Sequence, residues 1–210
     1  MAQSMDKRRY HSPLRQEQAL ATRNRILDAA LELFGRQGYG ATSIAAIARE
    51  AGVVAETIYA TFGSKRGIID GLVERAAPPQ VVSGLDAAWE ARSGDPAAQL
   101  ALVAEFSTAF WNRNDSLAAV FRRGTGDAEI ADEWSERQSL RRALFGRLLA
   151  DWPSSAFRPG VDRERAADIL WGLSTDEVFH LFVRERGWTP AAFETWLLDA
   201  LRHEILAEPA

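Results

Sequence analysis

TSIAAIAREAGVVAETIYATFGSK, residues 42–65, has the form of two short helices joined by a tight turn. Ile44, Ile47, Ala48 and Ala51 recur at i, i+3, i+4 and i+7, so one face of the first helix is apolar. Thr42 or Ser43 supplies a capping hydroxyl at its start. Gly52 follows Ala51, where a helix ends best on a residue that tolerates the left-handed conformation. A second helix is expected over roughly Val54 to Ala60, with Val53 and Ile58 facing inward. Two such helices around a glycine-containing turn fit a DNA-binding helix-turn-helix, and fit an ordinary helical hairpin equally well.

The flanks separate the two readings. TRNRILDAALELFGRQGYGATS precedes the stretch, over residues 22–43, and TIYATFGSKRGIIDGLVE, residues 57–74, carries it onward. With Ile26, Leu33-Phe34, Gly38-Tyr39, Ala51-Gly52-Val53, Tyr59, Phe62 and Ser64-Lys65, this closely resembles the N-terminal domain of the TetR family of bacterial transcriptional repressors. The resemblance implies an all-α fold of about nine or ten helices: an N-terminal helix-turn-helix three-helix domain and a C-terminal helical domain for effector binding and dimerisation. It also implies a repressor that a small molecule releases from its operator.

The chain divides accordingly into a basic arm over 1–17, a DNA-binding domain over 18–77 with the helix-turn-helix at about 43–62, and a helical domain over 78–210. The arm carries Lys7, Arg8, Arg9 and Arg15. It reads as a DNA-tracking arm or, at least as well, as a solvated tail. The first helix is expected from about Ala19 to Gln37, and a fourth from Lys65 to Ala77, stopped by Pro78-Pro79. Further helices are expected over 82–92, from Asp95-Pro96 to about 112, 115–123, 127–150, 162–186 and from Thr189-Pro190 to about 206. Net charge is −4, unevenly spread. Residues 1–75 carry 11 Lys/Arg against 8 Asp/Glu, whereas residues 76–210 carry 14 against 21. A mildly basic end on an acidic body suits DNA binding through that end. There is no cysteine, no run of 18 apolar residues and no signal-like apolar core after the basic start. The expectation is a cytoplasmic protein with no membrane partner.

In a recognition helix, side chains of the N-terminal half reach base edges. The resemblance puts Ala55, Glu56 and Thr57 there. Ala55 suits a thymine methyl, Glu56 a cytosine amino group, and Thr57 a base edge or a phosphate. Glu56 is also explained as a first-turn carboxylate on the helix dipole. No Arg or Lys lies between Val53 and Thr61, so the bidentate guanine contact is missing and DNA shape must carry part of the specificity. Tyr59 and Lys65 match the family's phosphate-contacting positions, and Thr42 and Ser43 at the start of the second helix suit the same role. Thr61 departs from the family pattern, where many relatives have His, and its contact is weaker or lost.

All seven Trp lie at position 89 or later. The resemblance implies a ligand among the C-terminal helices. Phe106, Phe110, Trp111, Trp134 and Trp171 are the candidate walls, with Glu177 and His180 as polar contacts, although aromatic residues at helical spacing more often form core. The last two long helices carry more apolar surface than one core needs. Trp171, Val178 and Phe182, with the stripe Phe193, Trp196, Leu197, Ala200 and Leu201, are therefore the candidate homodimer interface. The expected partners are a pseudo-palindromic double-stranded operator, a second copy of the chain and a small-molecule effector. No cofactor, metal or catalytic residue is expected. Glu177-x-x-His180 occurs only once, Gly63-Ser64-Lys65 lacks the upstream glycine of a phosphate loop, and there is no Gly-x-Ser-x-Gly. The competing reading is a helical adaptor that never binds DNA.

Overall fold

The computed structural model describes residues 13–207, and among them eleven α-helical segments follow one another with no strand. α1, Pro13–Gln37, begins earlier than the expected Ala19. Proline is tolerated in a first turn, and the residues after it are strong helix formers. Residues 13–17 are thus helix rather than arm, and Lys7, Arg8 and Arg9 lie outside the described residues.

α2, Ile44–Ala51, starts on Ser43, whose Oγ accepts from the Ala46 amide at 3.1 Å. It ends on Gly52 at φ +66°, and the Val53 amide closes the turn on the Ala48 carbonyl at 2.9 Å. α3, Ala55–Phe62, and α4, Lys65–Ala76, follow. Ser64 caps α4 by accepting from Gly67 N–H at 3.0 Å. A Cβ on Gly67 would lie 1.9 Å from the Phe62 carbonyl oxygen, so the close approach of α3 to α4 depends on glycine there.

Ile26, Leu27, Ala30, Leu33 and Phe34 of α1 bury against Ile47, Ala48, Ile58, Ile68, Ile69 and Leu72. Residues up to 77 do not close this core. Leu117, Val120, Phe121 and Ile130 complete it, and Arg123 donates to the Gly35 carbonyl at 2.8 Å.

The remaining helices form a second apolar cluster. α5, Pro79–Glu90, begins directly at Pro79, earlier than the expected Val82, because proline fits a first helical position. α6 (Pro96–Arg113) is capped by Asp95, α7 spans Asp115–Arg123, and α8 (Ala128–Leu148) is capped by Asp127. α9, Arg163–Leu173, ends where a continuous helix was expected. α10, Asp176–Phe179, then runs into a π-helical turn over His180–Glu185, and α11 covers Pro190–Ile205.

The break at Ser174-Thr175 has identifiable causes. Trp111 Nε1 and Arg141 donate to the Ser174 carbonyl at 2.8 and 2.9 Å, and the Ser174 hydroxyl turns back on Leu170. These donors take up carbonyls that a continuing helix would use. Asp176, fully buried, pairs with Arg122 of α7. Burial pushes the Asp176 carboxyl above its ordinary range, against the pull of Arg122.

Phe193, Leu197 and Leu201 are fully buried and pack into this cluster beside α6 and α9. That corrects the reading of the α11 stripe as an interface, since these three side chains are already covered by their own chain.

An ionic network joins the two parts. Glu133 of α8, only 3% exposed, lies between Arg66 of α4, at 2.7 Å, and Arg137 of α8. Arg137 also reaches Asp70 of α4 at 2.7 Å, and Arg66 reaches Glu136 at 3.1 Å. Two successive turns of α4 are thereby fixed to one face of α8.

Two outcomes are expected. Gly67→Ala forces α3 and α4 apart and lowers stability by more than ~2 kcal/mol, read by urea unfolding against Gly146→Ala, where a Cβ meets nothing within 4 Å. An equal effect of the two would contradict the close-approach argument. Glu133→Gln speeds hydrogen exchange of the α4 amides relative to those in the middle of α1. Unchanged α4 protection would show that the network does not hold the helix.

Candidate functional site

α3 is held by one fully buried side chain, Ile58, with Ala55 and Phe62 packed beside it at the edge of the core. Glu56, Tyr59, Ala60 and Thr61 are exposed, and Ala55 and Thr57 half-buried. Tyr59 is 54% exposed, so its phenol is available to an external acceptor. Val54, at the position before the helix, is 63% exposed. An apolar side chain so placed is a base-edge candidate that the sequence reading took only as the start of the helix. The signal available was its position just ahead of Ala55, outside the apolar repeat.

The expected phosphate set separates in three dimensions. Ser43 is exposed at the start of α2, beside amides with no partner inside the helix. Thr42 is buried instead. Its hydroxyl donates to the Gly38 carbonyl at 2.7 Å and accepts from Gln37 at 3.2 Å, so it anchors the turn after α1 and its one donor hydrogen is already taken. Lys65 is turned partly inward: Nζ donates to the Tyr39 carbonyl at 2.9 Å and sits 3.9 Å from the centre of the Tyr39 ring. The Thr61 hydroxyl donates to the Thr57 carbonyl of its own helix at 2.7 Å.

A cavity of about 360 Å³ opens between α4, α5, α6, α7 and α8. Phe106, Phe110, Trp111 and Trp134 line it, as expected from sequence, and Trp89, Phe121 and Phe145 join them. Val73, Ala76 and Ala77 at the end of α4 form part of the wall. Its polar lining is Asp86, Ser107, Asn114, Arg137, Gln138 and Arg141.

Trp171, Glu177 and His180 do not line the cavity. Trp171 is 38% exposed on α9 and donates to Gln138 at 3.0 Å. Glu177 is exposed and accepts from Thr175. His180 is half-buried, 3.7 Å from Glu185. Trp171 lies in α9 before the break and faces Gln138 from outside the cavity. The break at Ser174 and the π-turn carry the later positions elsewhere. Sequence reading missed the α8 arginines and Gln138, whose inward side shows no helical apolar repeat.

Of the candidate interface residues, Val178, Phe182, Trp196 and Ala200 are half-buried and Trp171 exposed. Phe182, Trp188 and Trp196 form one aromatic group, with ring centroids 4.6 Å apart for Phe182–Trp188 and Phe182–Trp196. Leu181 and Trp188 are exposed. Among the described residues, no helix is long and apolar enough to cross a membrane, and no group of three or more His, Asp or Glu side chains is arranged to hold a metal.

Comparison with known proteins agrees with this geometry. Residues 26–72 match the family model described as bacterial regulatory proteins, tetR family. An uncharacterized HTH-type transcriptional regulator of Bacillus subtilis, YvkB, is 41% identical over 54 residues, 26% of this chain and 29% of the relative. The HTH-type transcriptional regulator SrpR of Pseudomonas putida is 34% identical over 79 residues, 35% of this chain and 37% of the relative. The chain thus spans well under half the length of these two relatives. The solved structure of NalD, the secondary repressor of the MexAB-OprM multidrug efflux pump in Pseudomonas aeruginosa, superposes with a TM-score of 0.75 at 23% identity, over 92% of this chain and 100% of that one. Residues 26–72 thus match the tetR family model, and the chain as a whole shares its fold with NalD.

Proposed function

We propose that this protein is a sequence-specific DNA-binding transcriptional regulator, a homodimeric repressor released from its operator by a small-molecule effector. The observation that carries the reading is α3, anchored by Ile58 with Val54, Glu56 and Tyr59 facing outward. A helix held by its inner face presents its first turns to the major groove. Val54 and Ala55 then meet thymine methyls, Glu56 accepts from a cytosine amino group, and Thr57 bonds a base edge or phosphate. Tyr59 and Ser43 set register on phosphates. Lys65 braces the turn at Tyr39 and adds positive charge behind that face. The naming of NalD as a repressor supports repression.

A second copy of the chain packs on the Phe182, Trp188 and Trp196 group, extended by Trp171, Val178, Leu181 and Ala200. Exposed apolar side chains beside an aromatic group suit a self-complementary two-fold contact. The effector occupies the cavity and favours the conformation in which the two recognition helices are misplaced for DNA, a coupling typically worth about 1–3 kcal/mol. Because the end of α4 is cavity wall and its start is tied to Tyr39, Glu133 and Arg137, α4 transmits that preference.

Selection of duplexes from a random pool tests the reading. The expected outcome is enrichment of one inverted repeat whose affinity falls steeply with salt. Tyr59→Phe weakens binding of every duplex by about tenfold, as loss of a phosphate bond does. Glu56→Ala changes the preferred base at one position of each half-site. No enrichment at low salt would favour an adaptor without DNA binding.

A further inference from the structure

The cavity's charged lining is uneven. Asp86 lies on the exposed side of α5, and Arg137 is neutralised by Asp70 and Glu133. Arg141 differs from its neighbours on α8. Arg137 and Arg142 both hold carboxylates, the latter Glu164 and Asp168, whereas Arg141 makes no ion pair among the described residues. Its two terminal nitrogens donate to the main-chain carbonyls of Ser174 and Trp171. Its Nε is buried with no partner. The guanidinium lies 6.0 Å from the centre of the Trp111 ring and 5.9 Å from that of Phe145, both cavity walls. Burial lowers it to about 10, against the distant carboxylates of Glu177 and Asp176, so it stays charged at neutral pH. A charge enclosed by aromatic walls without a counter-ion is costly, and a ligand that brings one recovers that cost.

We infer that the cavity selects amphipathic anions, with an apolar body against the aromatic walls and a carboxylate or comparable acid group set at Arg141. The inference rests on reading the cavity as the effector site, and it adds the chemical class. A neutral ligand of the same shape leaves Arg141 unpaired, and a cationic one meets like charge in an apolar setting. The bonds of Arg141 to Ser174 and Trp171 also explain it as a cap on the end of α9, and the test separates the two roles.

Trp89, Trp111 and Trp134 line the cavity, so intrinsic fluorescence reports occupancy. The chain is titrated with decanoate, 1-decanol and decyltrimethylammonium, each below its aggregation threshold. Decanoate is expected to bind about tenfold or more tightly than either of the others, as a charged hydrogen bond in an apolar site dictates. Arg141→Met is expected to bring decanoate down to decanol while decanol binding persists, and Arg141→Lys to retain the order. Circular dichroism establishes that each variant is folded. If Arg141→Met fails to fold, the wild-type and Arg141→Lys series decide. Equal or tighter binding of decanol or the ammonium, binding of none of the three, or a preference that survives in folded Arg141→Met would overturn the inference. The titrations contain no DNA, so failure to find an operator would leave their result standing.

Discussion

Glu133 is the point on which the two halves of this molecule depend. A carboxylate so deeply covered is stable only with cations beside it, and it has two, Arg66 from α4 and Arg137 from the cavity wall. Asp70 doubles the tie. Together with the packing of Leu117, Val120, Phe121 and Ile130 into the N-terminal core, this makes α4, α7 and the start of α8 one frame. The cavity therefore does not hang from the N-terminal helices by a linker. Its wall and the support of α3 are the same helix at two ends.

Local signals made most of the fold legible. Ser43, Ser64, Asp95, Asp127, Asp162 and Thr189 each accept a backbone hydrogen bond at the helix starts where they stand in sequence. Gly52 supplies the left-handed turn that its place after Ala51 demanded. The helix break at Ser174 was passed over, although Gly172 and the pattern Ser174-x-x-Glu177 mark it in sequence. The break is made by Trp111 and Arg141, from helices distant in sequence, taking the carbonyls at its end. Beyond it, Glu177 and His180 lie away from the cavity.

The candidate sites divide on the same line. The resemblance set Ala55, Glu56 and Thr57 on the outer side of α3, where Glu56 is exposed and Ala55 and Thr57 are half-buried. Thr42 is buried, because its neighbour Ser43 supplied the cap and left Thr42 to bond Gly38 and Gln37. The cavity's aromatic walls were visible as residue types, but core and cavity use the same types, as Trp152 in the core and Trp134 on the wall illustrate. The α11 stripe was a true apolar stripe that its own chain covers. Its outer edge, with Phe182, Trp188 and Trp196, is left half-buried or exposed.

The central claim is that two recognition helices, related by a two-fold axis, read DNA together. The most direct measurement is a footprint on whichever fragment of its own genome the purified protein retains best at low salt. The expected result is one protected inverted repeat, with half-site centres about 34–36 Å apart or a multiple of that. Protection of a single half-site without symmetry, or no fragment held above the salt-dependent background, would contradict it.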